Sequence, residues 1–374
     1  MTRAIMVLLL ALLTAACGPA ADSGSGLTVV SLLGDGESAG YARASPAPDF
    51  TFPADHGPHP DYRSEWWYFT GNLVAGDGRE FGFQLTFFRF ALAADERTGA
   101  SAWGTRQVWM GHFALTDVAG KRFHRAEVFQ RGALGLAGAR AAPFRAWIGD
   151  WEARQEGDEF FPLALSADGA GFGIDLQVSP LKPMVFQGDG GYSAKGPEPG
   201  NASLYYAFTR LAAEGVVRLG DKTVDVEGEA WLDREWSTSA LGPGIEGWDW
   251  LSLQMDDGRD LMIYQLRHED GSPSEFSAGS LIDAEGRVTR LASRDFSMRP
   301  GRRWRSPETG AAYPVEWTVE VPGEGLALEI LPVMDGQEMD LSVLYWEGAV
   351  RSRVPGRDSL TGRGYLEMTG YGAP

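Results

Sequence analysis

The chain has 374 residues, 44% of them hydrophobic, and a formal net charge of −18 with Lys and Arg nowhere gathered into a patch. That balance makes nucleic acid and anionic headgroups poor partners. The length and apolar content suffice for two domains, each with its own core.

Residues 1–17 read as an export signal: Met1-Thr2-Arg3 is a basic start, and Ala4 to Ala16 is apolar except for Thr14. The run is short for a membrane span and ends in small residues before Cys17, which predicts a signal peptide cleaved and acylated at that cysteine. Cys17 is the only cysteine, so an intramolecular disulfide is excluded. A usual lipobox has Leu three places before the cysteine, where this chain has Thr14, with Leu13 one place early. The expected location is the cell envelope, with the chain lipid-anchored and facing the periplasm or the exterior. Residues 18–49, rich in Ala, Gly, Ser and Pro, suit a flexible linker.

From Phe50 onward the hydrophobic period is two. Phe81, Phe83, Leu85 and Phe87 alternate with Glu80, Gly82, Gln84 and Thr86, and Asp-Gly turns interrupt such runs. Forty-nine glycines, 21 prolines and 13 tryptophans fit many short antiparallel strands. The pattern is also written twice. The Asp77-Gly78-Arg79-Glu80 turn after Trp66-Trp67-Tyr68 is echoed by Asp257-Gly258-Arg259-Asp260 after Trp248-Asp249-Trp250. Tyr205-Tyr206 is echoed by Tyr345-Trp346, and Trp231-Leu232-Asp233 by Tyr365-Leu366-Glu367, in the same order. The predicted fold is therefore all-β, with two tandem antiparallel β-barrels related by internal duplication, at 50–240 and 241–374. A closed barrel of about eight strands has no exposed edges and room for side chains or one small ligand.

Four segments carry a resemblance: His56 to Tyr68 with its Glu65-Trp66-Trp67-Tyr68 core, Gly111-His112-Phe113, Ala230 to Trp236 with Asp233-Arg234-Glu235-Trp236, and Gly247-Trp248-Asp249-Trp250. They are similar to the AttH and carotenoid 1,2-hydratase family of lipocalin-like proteins, from about Phe50 to Tyr371. The resemblance implies two calycin-type barrels, in agreement with the duplication. It also marks a departure. The carotenoid hydratases carry a histidine at the place of Arg234 and a Tyr-x-Asp pair where this chain reads Tyr264-Gln265-Leu266. Tyr264 survives the match and the aspartate does not, so the resemblance argues against carotenoid hydration itself.

The Gly-x-Gly-x-x-Ala and Gly-x-Ser-x-Gly strings within Gly34 to Gly40 fall in the expected linker with no helix pattern after them, and no P-loop or His-Glu-x-x-His helix is present. Serine or zinc hydrolysis is unsupported, and no cofactor or metal is called for. What stands out is carboxylates beside indoles: Glu65 with Trp66 and Trp67, Asp233 and Glu235 with Trp236, and Asp249 between Trp248 and Trp250. A carboxyl walled by indoles is desolvated and can stay protonated as a general acid. Protonating an apolar alkene needs such an acid, and aromatic faces shelter the cation that forms. Arg234 can instead hold a neighbouring carboxylate ionised. In a strand Asp233 and Glu235 share one face and Arg234 and Trp236 the other, and an arginine packed over tryptophan also serves simply to close a barrel rim.

His56 and His59 read as loop residues, and His112, on one face with Val108, Met110 and Ala114, as a histidine inside a barrel. The Gly188 to Gly200 segment suits a lid or a loose hairpin tip. The expected catalytic set is Glu65, Asp233, Glu235 and Tyr264, and the expected ligand contacts are Trp67, His112, Arg234, Trp236, Trp248 and Trp250. Two functions follow. One is an envelope lipoprotein whose barrels bind a hydrophobic, lipid or isoprenoid-like molecule. The other is an enzyme acting on such a molecule by general acid catalysis, as a hydratase, isomerase or cyclase.

Overall fold

The computed structural model of the chain describes residues 38–94, 101–239, 241–242 and 244–372. Cys17 and the signal segment lie outside the described residues. The later part of the expected linker is packed: Ala44 is buried, and the Ala42 amide donates to the Asp61 carbonyl at 2.9 Å.

The period of two becomes a chain of strands: β1 Ser64–Ala75, β2 Glu80–Ala91, β3 Gln107–Asp117, β4 Arg122–Arg131, β5 Ala137–Ala141, β6 Phe144–Ile148, β7 Trp151–Gln155, β8 Leu163–Gly169, β9 Phe172–Pro180, β10 Val185–Phe186, β11 Tyr192–Ala194, β12 Ala202–Leu219 and β13 Lys222–Ser237. They form a 13-stranded antiparallel sheet in the order β4-β3-β2-β1-β13-β12-β9-β8-β7-β6-β5, with β10 and β11 also paired to β12. The sheet curls on itself, so that Phe113 of β3 and Phe172 of β9 stack with ring centroids 5.0 Å apart.

The second half repeats the plan with β14 Ile245–Met255, β15 Asp260–His268, β16 Ala278–Ile282, β17 Val288–Ala292, β18 Ser297–Pro300, β19 Arg303–Arg305, β20 Ala312–Pro314, β21 Trp317–Val321, β22 Leu326–Pro332, β23 Glu338–Asp340, β24 Leu344–Arg353 and β25 Leu360–Thr369. Its ten-stranded sheet runs β17-β16-β15-β14-β25-β24-β22-β21-β18 with β23 on β24, and β19 and β20 form a separate hairpin. Both sheets thus contain a four-strand meander whose first strand is paired by the last strand of its unit. The matched turns are alike in detail: Asp77 and Asp257 each accept a backbone N–H from the arginine two residues on, at 3.1 Å. Gly78 and Gly258 sit at φ 84° and 86°, where a β-carbon is disfavoured.

Inside each curled sheet the described side chains pack into a core. Trp67, Phe69, Phe83, Leu85 and Phe87 belong to one core, and Leu251, Leu253, Ile263, Trp317 and Leu328 to the other. Each such large side chain removed from water contributes about 1.5–3 kcal/mol. At the seam the outward faces of the strands are also buried, against the other sheet. The Tyr68 hydroxyl donates to Glu347 at 2.7 Å, the Arg210 guanidinium pairs with Asp260 at 2.7 Å, and Glu80 pairs with Arg351. The strands at this seam therefore have no solvent-facing side, because one side packs a barrel and the other packs the neighbouring unit.

Candidate functional site

A cleft lies at the seam between the two sheets. It is lined mainly by apolar side chains, as small-molecule sites are. Alternation on β1 and β13 sends Trp66, Tyr68, Asp233 and Glu235 into it, while β14 and β25 contribute Trp248, Trp250 and Glu367 from the opposite side. Register makes the two walls equivalent: Asp233 lies opposite Tyr68 across β13 and β1, and Glu367 lies opposite Trp250 across β25 and β14.

Asp233 is buried, and its carboxyl accepts the indole N–H of Trp231 at 2.7 Å. Burial pushes its pKa well above the ordinary aspartate value. The hydrogen bonds of Trp231 and Tyr205 pull the other way without winning, and the nearby Glu235 and Glu367 carboxyls add to the rise. Burial thus favours the protonated form of Asp233 on an aromatic wall. Glu235 differs: Ser203 donates to it and the Lys195 ammonium stands 3.5 Å away. Burial alone would lower Lys195, but Glu235 and Tyr264 raise it overall, and its ammonium rests 3.7 Å above the Tyr264 ring. On the facing wall burial lifts Glu367 to about 7, against the indole N–H that Trp248 donates at 2.6 Å. Burial also raises Glu347 well above its usual range, with Glu367 directly across the strands adding to the effect.

His112 also lines the cleft, which corrects its expected place inside a barrel. Its companions Met110 and Ala114 pack against Met339, Val343 and Tyr345 of the other sheet, so the face they share is the seam face. One ring nitrogen of His112, Nδ1, is 2.7 Å from the Tyr345 hydroxyl and the other, Nε2, is 2.9 Å from Glu127. Glu127 is held below its ordinary pKa because His112 and Ser342 outweigh its burial.

Four expected site residues are elsewhere. Glu65, Trp67, Arg234 and Trp236 point to the opposite side of β1 and β13, into the first barrel and its mouth. There Glu65 pairs with both Arg89 and Arg234, and accepts the His59 amide at 3.0 Å. Burial favours the neutral form of Glu65, but the two arginines hold its pKa far below the usual range. Glu65 is a permanent anion and no proton donor. Arg234 lies 3.9 Å over Trp67 and 5.0 Å from Trp236, which is the rim-closing arrangement. Asp249 serves the other mouth, paired with Arg267 at 2.9 Å, and burial lifts it to about 6. His56 anchors its segment. It is buried, stacked 3.6 Å from Phe160 and bonded to the Tyr206 hydroxyl at 2.7 Å, and burial lowers it to about 4.

The structure thus brings Asp233, Glu235, Tyr264, Trp248, Trp250 and His112 together and sets Glu65, Trp67, Arg234 and Trp236 apart. The sequence reading missed Trp66, Tyr68, Tyr205, Tyr345 and Glu367, although the repeat already paired Glu367 with Asp233. Lys195 was missed too. The Gly188 to Gly200 segment is ordered at the cleft: Ser193 bonds the Tyr264 hydroxyl at 3.0 Å and Lys195 reaches inside.

The AttH-like family model matches residues 43–371. A crystal structure from Nitrosomonas europaea assigned to AttH is 36% identical, covers 88% of this chain and 99% of its own, and superposes with a TM-score of 0.79. Kievitone hydratase from Nectria haematococca is 12% identical, with 86% and 92% covered and a TM-score of 0.66. CghA bound to Sch210972 is 10% identical, with 83% and 89% covered and a TM-score of 0.50. The last two likenesses concern the fold alone. A comparison with curated proteins returns no match. With its family model spanning nearly the whole described chain and two copies of one curled sheet, the protein belongs to the AttH-like family.

Proposed function

We propose that the seam cleft binds an apolar, unsaturated molecule of lipid or isoprenoid type and protonates it from Asp233. The observation that carries this reading is a carboxyl kept neutral by burial on a wall of aromatic rings, beside a separate ion pair of Glu235 and Lys195. The Asp233 proton passes to one alkene carbon, and the π pair forms the new C–H bond. The cation left on the other carbon lies among the faces of Tyr68, Trp248 and Trp250, which are arranged to stabilise it. Water then adds, and its surplus proton returns to the Asp233 carboxylate, so that the net change is addition of water. The hydratase named among the structural neighbours is in keeping with this class of reaction.

The test pairs retention with turnover. Wild-type and Asp233→Asn protein are loaded with geranylgeraniol in oxygen-labelled water, the retained lipid is extracted, and products are read by mass spectrometry. Label enters product in the wild type only, with equal retention in both. Retention without product in the wild type rejects hydration of this substrate class and leaves a binding protein.

We also propose that the chain is anchored in the cell envelope through acylated Cys17, as its first seventeen residues suggest. Mass spectrometry of the mature N-terminus decides, and an unmodified cysteine in the envelope fraction rejects the anchor.

A further inference from the structure

Alternate residues of a strand share one face, so Phe88 and Phe90, which line the cleft, are followed on the same side by Leu92. Leu92 continues the ladder, its amide donating to the Arg106 carbonyl at 2.6 Å, yet it is 64% exposed. The same wall also runs sideways. Phe88 lies opposite Met110 and Met110 opposite Phe129, which is 45% exposed. Trp103, 56% exposed, is fixed beside this edge: its carbonyl accepts from Arg131, two residues past Phe129, at 3.1 Å. In the following turn Leu134 is 53% exposed at φ 54°, a backbone region that leucine rarely adopts. A stripe of large apolar side chains therefore leads from the cleft out to the surface.

We propose that this rim docks on the surface of a lipid bilayer, so that apolar guests pass between membrane and cleft without crossing water. The docking surface stands on its own geometry, while its purpose rests on the apolar guest proposed above. Three observations select a membrane as the occupant. The stripe is continuous with an apolar cleft and ends in an exposed tryptophan, a residue suited to the membrane interface. The chain from the N-terminus arrives at this place, because a β-carbon on Gly40 would lie 2.9 Å from the β-carbon of Ala94, two residues beyond Leu92. Roughly twenty residues separate Cys17 from Gly40, at most about 80 Å of chain, so an acyl group there holds this edge within reach of a bilayer. Finally, the exposed Arg131 stands beside the stripe with its guanidinium on the Trp103 carbonyl, placing a positive charge beside that tryptophan in a chain of net charge −18.

The experiment uses the mature full chain on phosphatidylcholine vesicles containing lipid brominated in its acyl chains, which quenches indoles at the hydrocarbon boundary. Wild-type fluorescence should be quenched clearly more than that of Trp103→Phe. The Leu92→Asp, Phe129→Asp double variant should lose that difference while keeping the fold, read by circular dichroism. Equal quenching of wild type and Trp103→Phe overturns the proposal. So does a dimer in vesicle-free solution, seen by light scattering and broken by the double variant, since a second copy would then cover the stripe. Asp233→Asn should keep full quenching, so failed turnover with intact quenching rejects the catalytic reading and leaves the docking surface standing.

Discussion

Glu347 and Glu367 face each other directly across β24 and β25, two carboxyls paired where a sheet normally sets opposite charges or apolar groups. Tyr68 donates to the first from the other sheet and Trp248 to the second. Two buried carboxylates this close cannot both ionise, so the seam holds at least one proton near neutrality.

That proton makes stability depend on pH with a defined sign. Glu367 is raised from 4.5 to about 7 in the folded chain, so its contribution is complete below 4.5 and is lost as pH rises through about 7. Asp249, raised to about 6, acts in the same direction, whereas His56, lowered to about 4, favours the folded state as pH rises toward 6.5. Glu367→Gln should therefore remove a loss of order 2–3 kcal/mol between about pH 5 and pH 8. Urea denaturation of both proteins across that range measures the difference, and superimposable pH profiles contradict it.

Replacing Asp233 by Asn conserves shape and removes the acid. Turnover should fall by about 10²–10⁴-fold, the usual scale of general acid catalysis. Because the native carboxyl is already neutral, the melting temperature should barely move. A large loss of stability would show instead that the carboxyl is ionised in the fold.

Glu65→Gln should behave in the opposite way. The amide leaves Arg89 and Arg234 buried without their anion, at a cost of about 3–5 kcal/mol. The cleft lies on the other face of β1, so retention of an apolar guest by the folded fraction should be unchanged. Denaturant titration combined with lipid extraction separates the two effects.

The seam also depends on the absence of a side chain. A β-carbon at Gly82 would lie 2.7 Å from that of Ala349 and 2.9 Å from the Tyr365 hydroxyl, both in the other sheet. Gly82→Val should push the sheets apart and cost about 1–3 kcal/mol. It should also weaken guest retention, and retention at the wild-type level would show that the cleft tolerates a shifted seam.

Much of this arrangement is legible in the residues. The period of two gives the strands, the ordered echoes give the second copy, and alternation puts Asp233 and Glu235 on one face with Arg234 and Trp236 on the other. Which face holds the site is not legible. Where one side of a strand meets water, polar residues mark it, but β1, β3 and β13 are covered on both sides. Trp66 and Trp67 therefore look alike in sequence, although one lines the cleft and the other fills a barrel. For the same reason His112 reads as a barrel residue when it belongs to the seam.

The sequence by itself determined the all-β class, the duplication, the family and the supply of carboxylates among indoles, because these depend on local periodicity and on residue identity. Only the tertiary structure decided which carboxyl keeps its proton. Glu65 and Asp233 are both buried beside tryptophan, and the difference lies in their partners: two arginines turn toward Glu65, whereas Asp233 is set among the neutral donors Trp231 and Tyr205 and the acids Glu235 and Glu367.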